Sequence, residues 1–507
     1  MKLALYAMVT SCLVLGLPLQ LFAVAPRTGF GPRVLPRVVV SAAPQAGQAS
    51  SGSTSAPPQQ AYTLPPEKLA KAQALGRIRN ILGLVAPVWG LAVLYLMLAT
   101  RAAAGLEAFA HRISRRRWLQ GLLFFAALVV ITSLADLPLD IYGHSVSLHY
   151  GISIQGWPGW SLNLAKALGL SLLFAPPVML FFNWIVRRWP RRYWLGAWAV
   201  TLPLMLFSAF GEPFVEPIFN HYEPLAQHHP ALVAQLEKVV ARTGTSIPPD
   251  RMFLMKASAK SNGLNAYVSG IGSTKRIVVW DTMAERIPND EILFLCGHET
   301  GHYVLHHIPK GLAIAAVALF FVYWACAGFA AWLARRFAAR WLVDDRQQAE
   351  MRPTAAVGQG FIPGIKSSES MRPLAPEVCS PEDLPAIASW SADRAVPLST
   401  RTGFVVLLFT VSVAGFVLAP IDNAISRHFE HEADVYGQEA IHGIVPDPQK
   451  TSVAAFNALG EAWLEDPNPN PFIEFWTYDH PSTQARATFA AHYDPWANGG
   501  HGQFFAK

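Results

Sequence analysis

Charge is what this sequence has least of: Asp, Glu, Lys and Arg make up 15% of its 507 residues, against 52% hydrophobic residues. Soluble domains carry about 25% charged residues, so a chain this poor in charge and positive in mean hydropathy reads as a membrane protein, and its length is then a poor counter of domains. Cysteine is scarce too. Cys12, Cys296, Cys326 and Cys379 form no CxxC pair, and three of them lie in apolar runs, so they offer no disulfide frame and no thiolate metal site and read as small buried hydrophobes. The formal net charge of +6 comes without the basic, aromatic-interleaved face that nucleic acid requires. Its arginines instead cluster beside apolar segments, as in Arg115-Arg116-Arg117 and Arg187-Arg188, where they act as orientation signals. The expected partner is the lipid bilayer, and no nucleic acid is expected.

Long apolar runs are what the chain has in place of charge. Residues 3–25 follow a single Lys2 and end in Ala23-Val24-Ala25, the pattern of a signal peptide or a first membrane anchor. Residues 26–77 read as a largely disordered linker, because the Ser, Ala, Gln, Gly and Pro of 41–60 cannot bury enough apolar surface to fold. Stretches 80–100, 118–136, 164–186, 193–211 and 311–334 are long enough to cross a bilayer, and a shorter one spans 403–420. With the first segment this predicts a mainly α, polytopic bundle of about seven membrane helices. Residues 78–212 are expected to form an N-terminal membrane-helix domain, and 213–507 a second domain that includes the last two membrane helices and a polar loop at 341–400. Within 213–310, the runs MFLMKA (252–257), NAYVSG (265–270) and RIVVW (276–280) are separated by turn-rich segments, which predicts a small sheet with a hairpin.

The chemistry concentrates in EILFLCGHETGHYVLHH, residues 291–307. His298, Glu299 and His302 form H-E-x-x-H; on a helix the two imidazoles share a face and can bind one cation, while Glu299 is turned toward the open side as a general base. A single buried histidine is usually a satisfied core residue. Two at ligand spacing around an acid, on a helix apolar elsewhere, point to a metal centre with Zn²⁺ as cofactor, one per chain. His306 extends the same face by a turn and His307 follows it; either can orient a ligand or sit at a helix end on the surface. Leu305 and Ile308 stand where the metzincin extension needs Gly and His. A catalytic zinc needs a third protein ligand and an open position. The place to look is SRHFEHEADVYG, 426–437, where Glu430 and Asp434 share a helical face, one to ligate and the other to accept an imidazole N–H; His431 is a further candidate ligand.

The chain resembles the CAAX prenyl protease type 1 family of membrane zinc endopeptidases over most of its length. The likeness rests on YTLPPEKLAKA (62–72), SNGLNAYVSG and KRIVVWDT (261–282), GHETGHYVLHH (297–307), SRHFEHEAD (426–434) and HPSTQAR (480–486). The resemblance implies a zincin-like α+β metalloprotease domain and hydrolysis of peptide bonds in protein or peptide substrates, as CAAX-type C-terminal processing or membrane protein quality control. It implies Glu430 as third zinc ligand, Asp434 as catalytic acid or orienting residue, and His480 and Arg486 as groups that bind substrate or stabilise the oxyanion. The strand around Asn265, Ala266 and Tyr267 is an expected edge for an extended substrate. The rival reading is a non-catalytic transporter or chaperone-like scaffold with a structural zinc, whose fourth position would be closed.

Loops 101–117, 187–192 and 335–352 carry five, four and five Lys or Arg, and 137–162 carries none. By the positive-inside rule the basic loops are cytoplasmic, which places the catalytic face of an integral, multi-pass protein outside the cytoplasm.

Overall fold

The computed structural model describes residues 61–341 and 397–505. Six of the described helices are long and apolar enough to cross a membrane: α1 (Pro66–Ala99), α3 (Arg117–His149), α4 (Trp157–Arg188), α5 (Tyr193–Phe210), α8 (His307–Trp341) and α9 (Arg401–Ala440), with the short α2 (Ala102–Ile113) between the first two. The expected first segment, 3–25, and most of the 341–400 loop lie outside the described residues. Leu134, Leu162, Leu173, Val317, Phe321 and Trp324 are exposed on the bundle, a surface that suits hydrocarbon rather than water.

Most helices overrun the predicted spans, because hydropathy registers the apolar core and not the polar turns that continue it. The linker expected through 77 is corrected at its end: Pro66 starts α1 with a fixed helical φ. Tyr62 before it is fully buried and donates from its hydroxyl to the Glu465 carbonyl at 3.0 Å. The Pro176-Pro177 pair lies within α4, which continues through it.

The four-stranded sheet has the order β1 (Tyr222–Pro224), β2 (Met252–Met255), β4 (Arg276–Trp280), β3 (Ala266–Ser269). β2 and β4 are parallel; β3 returns antiparallel to β4, with Ala266 opposite Val279 and Ser269 opposite Arg276. The predicted hairpin is therefore β3–β4, and β3 lies at the edge of the sheet. The sheet packs with α6 (Pro230–Arg242), α7 (Asn289–Val304) and α10 (Pro448–Trp463) around one apolar core that includes Leu236, Ile277, Val279, Phe294 and Phe456. α11 (Pro471–Thr477) and α12 (Thr483–His492) complete this end.

α9 ties the two ends together. Its 40 residues span about 60 Å, and Glu430 lies about 44 Å from its start at 1.5 Å per residue. A hydrocarbon core of about 30 Å holds only about half of that length, so the part of the helix that carries Glu430 lies outside it, beside α7. The start of α9 is fastened at the other end of the bundle: the buried Glu107 carboxylate of α2 accepts from the Arg401 and Thr402 backbone N–H groups at 3.1 and 2.9 Å, and Arg401 Nη2 donates to the Arg117 carbonyl at 3.0 Å. The arginine clusters of 112–117 thus sit at the end of the bundle away from the sheet.

Candidate active site

α7 starts at Asn289 with Asp290 and Glu291 in its first turn, where carboxylates suit the positive end of the helix dipole. Its residues 292–298 are buried without a break. α9 crosses it with almost no clearance: a Cβ on Gly437 would stand 2.8 Å from the His298 backbone nitrogen, and one on Gly297 would stand 3.3 Å from the Gly437 carbonyl oxygen. Only hydrogen at position 437 lets the helices come this close. Asp434 and Glu430, one and two turns back along α9, therefore reach the histidines of α7.

His298, His302 and Glu430 each offer a ligand atom to one point, and all three side chains are buried. His298 Nε2 and His302 Nε2 are 3.2 Å apart; Glu430 Oε2 is 3.3 Å from the first and Oε1 is 3.6 Å from the second. A tetrahedral zinc with bonds of about 2.0–2.1 Å sets its donors about 3.3–3.4 Å apart, and two neutral imidazoles with a carboxylate suit that ion. Glu430 Oε2 is buried and accepts no hydrogen bond, an arrangement costly in a protein unless a cation compensates it. The residues present fit the metal. His431 does not join them: it is exposed on α9, its ring against Phe489.

Both imidazoles are held from behind. His298 Nδ1 is 2.9 Å from Asp434 Oδ1, and Arg486 of α12 grips the same carboxylate with Nε at 2.9 Å and Nη2 at 2.6 Å. His302 Nδ1 meets His307 Nδ1 at 2.9 Å, and His307 Nε2 meets Glu432 Oε2 at 3.0 Å. Of the two readings for His306, the surface one holds: α7 ends before it, so it does not extend the ligand face, and His306 is exposed in a left-handed turn with φ of 60°. That turn is what returns His307 to His302.

Burial alone would lower the His298 pKa, but the adjacent carboxylates of Asp434 and Glu430 outweigh it and raise it to about 9. His302 is pushed well down, chiefly by burial. His480 lies in the segment between α11 and α12, its Nε2 3.2 Å from Glu430 Oε1; burial is again outweighed, here by Glu430 and Asp479, and its pKa rises to about 9. Glu299 is the half-buried member of an otherwise buried stretch of α7.

The edge strand β3 lies beside α7. Trp280 N–H donates to the Asn265 carbonyl at 3.0 Å, so by antiparallel alternation Asn265, Tyr267 and Ser269 turn their backbone groups toward β4, and Ala266 and Val268 turn theirs to the free edge. Of the three strand residues singled out from the sequence, Ala266 faces outward. The Tyr267 hydroxyl is tied to Glu216 at 2.9 Å. Val268, which sequence reading did not single out, presents its carbonyl to Tyr303 of α7 at 3.3 Å. Asp479 and Glu432 were also missed; each needed its tertiary partner to stand out from ordinary surface acids.

Known proteins resemble this chain in sequence and in fold. Residues 48–221 match the family model described as CAAX prenyl protease N-terminal, five membrane helices. The chain is 29% identical over 428 residues to the uncharacterized metalloprotease YhfN of Bacillus subtilis, covering 84% of this chain and 86% of that protein. It is 28% identical over 207 residues to CAAX prenyl protease 1 of Saccharomyces cerevisiae, covering 40% of this chain and 45% of that protein. Its fold is similar to the crystal structure of S. mikatae Ste24p with a TM-score of 0.65 at 18% identity, over 97% of this chain and 99% of that one. Residues 226–494, more than half of the chain, match the model of peptidase family M48, and with six membrane-competent helices the chain belongs to that family as an integral membrane metalloprotease.

Proposed function

We propose that this protein is a zinc endopeptidase of the H-E-x-x-H plus glutamate type, with His298, His302 and Glu430 holding one Zn²⁺. The observation that carries the reading is the convergence of these three buried donors at 3.2–3.6 Å, with Asp434 2.9 Å behind His298 and His307 2.9 Å behind His302. Zinc in such a site supplies Lewis acidity, making a water nucleophilic near neutral pH and polarising the scissile carbonyl. Glu299 takes the proton of the attacking water and passes it to the leaving amine. His480 stands beside Glu430 and stabilises the oxyanion, a role worth about 2.7–4 kcal/mol for a well-placed donor. Arg486, implied by the family likeness as a substrate or oxyanion group, has Nε and Nη2 on Asp434 and acts instead by holding the partner of His298.

The substrate lies extended along β3 and pairs with the outward backbone groups of Ala266 and Val268, which makes affinity depend on main chain and selectivity weak. The yeast relative is named CAAX prenyl protease 1, which makes CAAX-type C-terminal processing the first substrate class for this chain; cleavage of membrane proteins in quality control is the second. Matched C-terminal peptides with and without a prenyl group separate them, since only the first requires the lipid.

The deciding experiment is Glu299→Gln, which keeps size and removes the base. Zinc should remain at one per chain while cleavage of an internally quenched peptide falls at least 10²-fold. Wild-type cleavage by this variant would remove the base assignment, and absence of cleavage by the wild type across peptide libraries would favour the structural-zinc scaffold.

A further inference from the structure

His480 is fixed by its neighbour in sequence. Its Nδ1 lies 2.7 Å from Asp479 Oδ1, while its Nε2 faces Glu430 Oε1 at 3.2 Å. Both ring nitrogens therefore point at carboxylate oxygens, which only accept, and the ring has a single orientation that meets both.

The backbone around this pair is anchored on every side. Tyr478 on its N-terminal flank gives its carbonyl to Arg427 Nη1 of α9 at 2.7 Å and its hydroxyl to Asn80 Oδ1 of α1 at 2.7 Å. On the other flank Pro481 restricts the preceding His480 to extended backbone, and Ser482 caps α12 by accepting from the Ala485 N–H at 3.3 Å. His480 is 7% exposed. Such a segment leaves Asp479 little freedom except to hold the ring, the arrangement by which a supporting shell keeps a reactive side chain in place.

We infer that Asp479 is a positioning residue: it holds the His480 ring by Nδ1 so that Nε2 faces the reaction centre at Glu430. The inference rests on the role of His480 in the proposed peptidase reaction. Asp479 bonds to none of the proposed zinc donors; besides His480 it acts by charge on Arg427 and Asp422 of α9, and of these only His480 faces the reaction centre. Asn at 479 keeps an oxygen acceptor of the same reach, whereas Ala leaves the ring free to turn about its side-chain bonds.

The full-length protein, purified with zinc and assayed on an internally quenched peptide, tests this with Asp479→Ala, Asp479→Asn, His480→Ala and Glu299→Gln side by side. Asp479→Ala should lower kcat about 10²-fold with KM within about twofold and zinc at one per chain, and His480→Ala should lower it at least as far. Asp479→Asn should recover to within about tenfold of wild type. Wild-type kcat in Asp479→Ala alongside a deficient His480→Ala overturns the inference and leaves the peptidase reading intact. Zinc loss or a lowered Tm in Asp479→Ala that matches its loss of kcat overturns it as well, in favour of a structural role, as does an Asp479→Asn no better than Asp479→Ala. Retained activity in Glu299→Gln instead sinks the underlying mechanism.

Discussion

Arg486 is the residue whose surroundings say most about the site. Burial would lower the pKa of its guanidinium, but Asp434 outweighs burial and raises it, so it stays charged, with two nitrogens on one carboxylate. Lysine at this position keeps the charge and loses the planar fork. Arg486→Lys is therefore expected to leave Asp434 able to swing from His298 and to weaken zinc binding about 10–100-fold, the usual cost of removing a group that orients a metal ligand. Competition with a chelator of known affinity measures it; unchanged affinity would mean that Asp434 holds His298 unaided. His307 illustrates the same point from the other ligand. The sequence offered His306 and His307 as equals, and only the left-handed turn at His306 selects the second.

At the scale of elements, the site depends on how closely α7 and α9 cross. Gly437→Ala puts a methyl 2.8 Å from the His298 nitrogen and 3.0 Å from its Cα, both backbone atoms that move only with the helix. Overpacking of this kind costs about 1–3 kcal/mol, and separating the helices takes Glu430 from the histidines. Gly437→Ala should lower both Tm and zinc affinity, by about tenfold or more in the latter. Gly328→Ala on α8, with nothing within 4 Å of the new methyl, should change neither. Equal behaviour of the two variants in a chelator titration and a thermal melt would show that the crossing has slack the geometry does not reveal. The H-E-x-x-H helix was legible from spacing alone because both histidines lie on one element. The third donor was not fixed by spacing, since Glu430 and Asp434 share one face of α9 while His431 lies on another, and the crossing at Gly437 decides which face meets α7.

For the molecule as a whole, charge decides the side of the membrane on which the site is expected to work. Glu107, Arg117 and Arg401 meet at the end of the bundle away from the sheet, and the basic loops 101–117 and 187–192 adjoin that end. The positive-inside rule then predicts a cytoplasmic basic end and an extracytoplasmic catalytic end. Ala497 is exposed at the catalytic end. In a background lacking Cys12, Cys296, Cys326 and Cys379, Ala497→Cys should react with a membrane-impermeant thiol reagent in intact cells. Labelling only after the membrane is opened would reverse the orientation.

The sequence by itself located the six described helices that can cross a membrane and the two histidines that the proposed metal site uses. Both depend on local pattern: about 20 apolar residues cross hydrocarbon whatever their neighbours do, and residues four apart share a helical face in any helix. It also carried the hairpin of β3 and β4 in its alternating runs and turn residues. Only the tertiary structure decided that α1 begins at Pro66, because that start is held by the docking of Tyr62 against a segment some 400 residues away. It alone placed Glu430, rather than exposed His431, beside His298 and His302, put Asp434 under Arg486, and turned Ala266 and Val268 to the open edge. Those choices depend on helix crossing and strand register, which are set by close packing between elements distant in sequence and leave no periodic trace in any one of them.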